Sequence, residues 1–144
     1  MKKVLFFLIL FCWHLHALEV KSTLKIYHDI FTSITHKEHY TVYTDKKTYR
    51  EVFAKSNRIR LTNDPSTADI LLITQKDTLK KLQNRPIKGL LFTTKYNLLD
   101  NTEDIIGAFY WRKGRSQLLF IRKRLKAHGI SLPPKYTQYI IDTL

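Results

Sequence analysis

Two runs in the chain, "DILLIT" (Asp69 to Thr74) and "GLLFTT" (Gly89 to Thr94), are almost wholly apolar and show no alternation. Each is too short for a buried helix. Continuous apolarity also does not suit a strand with one wet face. Both read as strands buried on both faces, the pattern of a sheet covered by helices.

The flanking segments supply such helices. In "EVKSTLKIYHDIFTSIT" (Glu19 to Thr35), Val20, Leu24, Tyr27, Phe31 and Ile34 follow one helical stripe. "HYTVYTD" (His39 to Asp45) has the β-branched and aromatic content of a strand. Asp45 is placed to cap a short helix, "KKTYREVFAKS", with Tyr49, Val52 and Phe53 inward. "RIRL" (Arg58 to Leu61) alternates apolar residues with arginine, as an edge strand does, and "NDPSTA" is turn chemistry. A helix through Leu79 and Leu82 must stop before Pro86, and "KYNLLDNTED" is a loop or a short helix. "IIGAFYWR" (Ile105 to Arg112) and "SQLLFIR" (Ser116 to Arg122) are strands joined by Lys113-Gly114-Arg115, where the glycine signals a hairpin. "KRLKAH" then forms a helix ended by Gly129, and Pro134 opens a last short helix, "KYTQYIID". The expected fold is a single α/β domain. A mixed central β-sheet is covered by helices, and a C-terminal β-hairpin is followed by a helix.

The chain opens "MKKVLFFLILFCWHLHALEV". Lys2 and Lys3, the apolar run Val4 to Trp13 and the small residue Ala17 follow one another in the order of a secretory signal peptide. The apolar run is shorter than the roughly 18 residues that suggest a membrane-spanning helix. Residues 1–17 are therefore expected to be cleaved, leaving an exported domain of residues 18–144. Cys12 is the only cysteine and leaves with the leader, so the exported domain is expected to fold without a disulfide. About 127 residues suffice for a real core.

Export changes the meaning of the charge. Removing Lys2 and Lys3 lowers the net charge from +13 to +11. A basic cytosolic chain would suggest nucleic acid, but an exported one rarely meets it. The acidic partners open to it are a membrane surface, an acidic protein domain or an anionic ligand; a basic surface serving only solubility is the plainer alternative.

Catalytic motifs are absent. There is no G-x-S-x-G, no phosphate-cradling glycine loop and no H-E-x-x-H. "HKEH" (His36 to His39) is the densest set of metal-ligand types, but its spacing lacks a helical ligand register, and a solvated loop is expected. Asp100, Glu103 and Asp104 read as a capped turn, not a calcium loop. No enzyme activity, metal or cofactor is expected. The candidate partner-binding residues are Tyr110, Trp111, Arg112, Lys113 and Arg115, because aromatics and arginines dominate interface hot spots. Strand alternation requires at least one of Tyr110 and Trp111 to pack inward.

The order of these motifs resembles the YfiR-like periplasmic proteins. "EVKSTLKIYHDIFTSIT" looks like that family's opening helix, "TADILLIT" like its strand motif around a Cys-Asp-hydrophobic run, and "GLLFTT" like the strand before a serine-rich loop. "IIGAFYWRKGRSQLLFIRKRLKAHGISLPPKY" is similar to its C-terminal signature. Ile106 stands where that signature has the first glycine of a pair, and Ala68 stands where the family has a cysteine. The resemblance implies a non-enzymatic regulator. It would bind and modulate the periplasmic domain of an inner-membrane signalling protein, a diguanylate cyclase of cyclic di-GMP signalling or a sensor kinase. It also implies a homodimer. A small-ligand-binding periplasmic domain feeding a transporter or receptor is the alternative, and weak membrane-surface contact is a further expectation.

Overall fold

The computed structural model describes the backbone from Lys2 to Leu144 and side chains from Glu19 onward. The expected signal peptide, with Cys12, falls outside the residues whose side chains are described. Among the described residues, no helix is long and apolar enough to cross a membrane.

The order of elements is α1 (Lys2–Thr35), β1 (Tyr40–Thr44), α2 (Lys47–Phe53), β2 (Ile59–Leu61), β3 (Ile70–Ile73), α3 (Lys76–Leu82), β4 (Leu90–Thr93), β5 (Ile105–Arg112), β6 (Arg115–Ile121), α4 (Arg122–Ala127) and β7 (Ile140–Ile141). Short 3-10 turns cover Pro65–Thr67, Tyr96–Asn101 and Pro134–Tyr139. One sheet joins the strands in the order β2-β1-β3-β4-β5-β6-β7. The first five strands are parallel, β6 returns antiparallel to β5, and β7 runs parallel to β6. The expected single mixed α/β domain is what is found.

Strand order 2-1-3-4-5 reverses direction between β1 and β3. Right-handed crossovers running in opposite directions put their helices on opposite faces. The apolar residues divide accordingly. Val42, Ile70, Leu72, Phe92 and Phe120 face Tyr27, Ile30, Phe31 and Ile34 of α1 and Phe53 of α2. Leu71, Ile73, Leu91, Ile105 and Leu119 face Leu79 and Leu82 of α3 and Leu98 and Leu99 of the 96–101 turn. Ile70 to Ile73 are all fully buried, as a strand between two helical layers requires.

Three local expectations are corrected. Asp45 does not cap α2, whose N-cap position is Lys46 without a side-chain hydrogen bond. Its carboxylate instead reaches across to β3 and accepts from the Thr74 amide (2.9 Å), the Thr74 hydroxyl (2.8 Å) and the Gln75 amide (3.0 Å). Three donors beyond the end of β3 outnumber the one backbone amide that an N-cap side chain typically satisfies. The hairpin turn has two residues, not three. Lys113 (φ 50°) and Gly114 (φ 75°) form it, and Arg115 already pairs with Arg112. Both turn residues take the left-handed φ of a type I′ connection, which matches the strand twist. The last short helix is a 3-10 turn that ends in β7, whose Ile140 and Ile141 pair with Phe120 and Ile121.

The end of α4 follows the expectation closely. Gly129 (φ 66°) donates to the Lys126 carbonyl and Ile130 to the Leu125 carbonyl, the two bonds of a Schellman cap.

Candidate functional site

The proposed contact residues lie on the β5–β6 hairpin. The last β5 residue paired with β4 is Ala108, opposite Thr93. Phe109 to Arg112 therefore run past the sheet's neighbouring strand by roughly 13 Å at about 3.3 Å per residue. The two-residue turn holds the tip without slack.

An irregularity in β5 sets which way these side chains point. Leu91 pairs with Ile105, but the next residue, Phe92, pairs with Gly107, so Ile106 is an extra residue in the ladder. Such a bulge places two consecutive residues on one face and shifts the alternation beyond it. Phe109 consequently faces α1, with its ring 5.8 Å from Tyr27. Tyr110 turns to the other face, half-buried, with its ring 5.4 Å from Tyr96. Trp111 returns to the α1 side, beyond the sheet's core, and is 72% exposed. Arg112, Lys113 and Arg115 are exposed as well. The structure thus presents all five predicted residues on one projecting element, with Tyr110 as the one that packs inward.

The sequence reading missed neighbours that share this end of the sheet. Three parallel strands finish in the same tripeptide pattern: Thr44-Asp45-Lys46, Thr74-Gln75-Lys76 and Thr93-Thr94-Lys95. The threonines are buried and the lysines exposed. At β4, the Thr93 hydroxyl accepts from the Lys95 amide (3.1 Å) while donating to the Ile73 carbonyl (2.8 Å). At β1, the Lys46 amide lies 3.5 Å from the Thr44 hydroxyl. A hydroxyl that turns the backbone two residues on is a recurrent way to end a strand. At β3 the Thr74 hydroxyl donates to Asp45 instead, and in all three patterns an exposed lysine stands just beyond the carboxyl end of its strand. Tyr96, 41% exposed, stands beside Lys95. The signal that could have found these groups is Thr-x-Lys at the end of each apolar run.

In open doubly wound sheets, ligands bind outside the strands' carboxyl ends where the strand order reverses. Here that point lies between β1 and β3, and the Asp45 carboxylate already occupies the Thr74 and Gln75 amides. An internal anion holds the donors that an anionic ligand would use.

The other candidates resolve plainly. His36 to His39 are exposed, and His36 takes a left-handed φ of 55° where the chain leaves α1. Asp104 accepts from the Thr102 hydroxyl (3.1 Å) and its amide donates back to that hydroxyl (3.2 Å), a closed turn. Among the described residues, no group of three or more His, Cys, Asp and Glu side chains is placed to hold a metal ion. No family model, curated protein or solved structure matches the chain.

Proposed function

We propose that this chain is a non-enzymatic, exported binding protein that regulates a membrane signalling protein by docking the β5–β6 hairpin on its extracytoplasmic domain. The observation that carries this reading is Trp111, 72% exposed on a tightly turned hairpin. It stands beside Arg112, Lys113 and Arg115, none of which has a carboxylate within ion-pair distance among the described residues. A large aromatic left in water beside unpaired arginines has the composition of an interface anchor with its charged rim. The resemblance to the YfiR-like proteins supplies the class of partner, a diguanylate cyclase or a sensor kinase. The occupied switch point weighs against the small-ligand alternative, because the usual place for an anionic ligand is already filled by Asp45.

The test is association kinetics against the extracytoplasmic domain of a candidate membrane signalling protein, a diguanylate cyclase or a sensor kinase. Replacing Arg112, Lys113 and Arg115 with serine is expected to leave the melting temperature nearly unchanged, since exposed substitutions usually shift stability by only about 0.5 kcal/mol. Association should slow and lose its salt dependence, because rim charges act mainly on encounter. Trp111→Ala should keep the fold and raise the dissociation rate. Unaltered kinetics in both variants would reject the hairpin as the contact.

A further inference from the structure

We propose, resting on the export and membrane partnership argued above, that the carboxyl edge of the sheet is a docking face for an anionic lipid surface. Four strand ends deliver cations to this edge: Lys46, Lys76 and Lys95 from the Thr-x-Lys patterns, and Arg112, Lys113 and Arg115 from the hairpin. Neighbouring strands lie about 4.8 Å apart, so the ends of β1, β3, β4 and β5 make a row roughly 15 Å long. The carboxylates nearby do not neutralise it. Asp45 is held by Thr74 and Gln75, and Glu51 lies 3.8 Å from Lys47, leaving Glu19 and Asp77 against those six cations. The opposite edge differs. Three ion pairs, Lys37–Asp69, Arg122–Asp142 and Lys123–Glu103, gather where the parallel strands begin. Arg58, Arg85 and Lys88 also stand at that end without an ion pair, but the pairs themselves gather there, and none of the six cations of the carboxyl edge is in one among the described residues.

Two further observations point to lipid as what the edge faces while the hairpin meets its protein partner. Trp111 and Tyr96 are the exposed aromatics of the basic edge, and an apolar ring with a polar tip suits headgroup depth. The direction of α1 is the second. Glu19, Ser22 and Thr23 line a groove with Trp111 and Ser116, while Thr35 at the far end leads to the start of β1. The chain before Glu19 therefore enters the domain at the basic edge. That part of the sequence contains the wholly apolar run Val4 to Trp13. Before cleavage after Ala17, while that run is held in the bilayer during export, the lysine row faces the headgroups. An acidic protein would match the charges but would not account for an apolar run joining at the same edge.

The experiment uses the full chain with Trp13→Phe, so that Trp111 is the sole tryptophan. Vesicles of phosphatidylcholine are compared with and without phosphatidylglycerol. With phosphatidylglycerol at low salt, Trp111 emission should shift to the blue and its quenching by acrylamide should fall. Added salt should reverse both changes, since exposed charges are screened. In the same background, K46S/K76S/K95S should keep its melting temperature. Each basic residue near an anionic surface contributes about fivefold in affinity, so partition should drop about a hundredfold. Equal quenching with and without phosphatidylglycerol, or parental partition of the lysine variant, overturns the proposal. Shielding of Trp111 only by an added acidic protein domain would assign the edge to protein instead. No partner protein is present in the lipid arms, so their failure leaves the hairpin's role in regulation to its own kinetic test.

Discussion

Gly107 is where one residue does most to shape the molecule. The bulge at Ile106 puts Gly107 on the same face as Ile106, toward Phe92 and Phe120. A Cβ built there would lie 2.5 Å from the Leu119 carbonyl oxygen and 2.8 Å from the Phe120 ring. Those two rings, with centroids 5.9 Å apart, fill the space a side chain would need. Gly107→Ala is expected to cost about 1–3 kcal/mol, the range for overpacking a filled core. The upper part of that range is expected, because a backbone carbonyl cannot rotate away as a side chain can. Chemical denaturation reads it directly; a midpoint equal to that of the parent would show that β5 relaxes around the methyl. The glycine was visible in the sequence as part of "IIGAFYWR". The bulge beside it was not, since no local pattern distinguishes an extra residue from the next position in an alternating strand.

Among the elements, the link between α1 and the sheet has a titratable lock. Asp69, just before β3, accepts from the Thr41 amide at 2.8 Å and from the Lys37 ammonium at 2.6 Å. Partial burial works to raise this carboxyl, and the Lys37 and Thr41 hydrogen bonds outweigh it, so its pKa lies below the ordinary carboxylate range. The folded pKa is thus lower than the unfolded one, about 3.9. Its contribution is complete above that value and is lost as pH falls through the folded pKa. Denaturation midpoints measured from pH 6 to pH 2 should fall less steeply below about pH 4 in Asp69→Asn than in the parent. Identical acid limbs would show that Asp69 stays unpaired in solution. Elements of this kind were legible unevenly. The stripe of α1 and the runs of β3 and β4 are long enough to read, and so was the Gly129 cap. β7 was not, because two residues carry no period and become a strand only by lying beside Phe120 and Ile121.

For the molecule as a whole, the expected cleavage after Ala17 removes Cys12, so nothing in the exported domain can be oxidised to a disulfide. Protein taken from the envelope fraction should begin near Leu18 by intact mass and should melt identically with and without reductant. A melting temperature that moves with reductant would place Cys12 in the folded molecule and reject the cleavage. The domain then rests on two helical layers closing over one sheet. Aromatic contacts are concentrated on the α1 side, where Tyr27 meets Phe31, Tyr49, Phe53 and Phe109 at 5.3–5.8 Å between centroids.

Sequence by itself determined the class of fold and the identity of the exposed hairpin. Unbroken apolar runs as short as "DILLIT" suit strands with both faces covered, and a glycine between two strand patterns marks the turn. Both are consequences of short-range chemistry. Tertiary structure decided what the hairpin is aimed at. The bulge at Ile106 chose Tyr110 as the packed aromatic and Trp111 as the exposed one, and strand order gathered three Thr-x-Lys ends onto one edge. Asp45 was diverted from its own helix to the amides beyond β3 for the same reason. Residues some 20 to 30 positions apart in the chain come within bonding distance only once the parallel strands are in register, and no window of sequence contains that register.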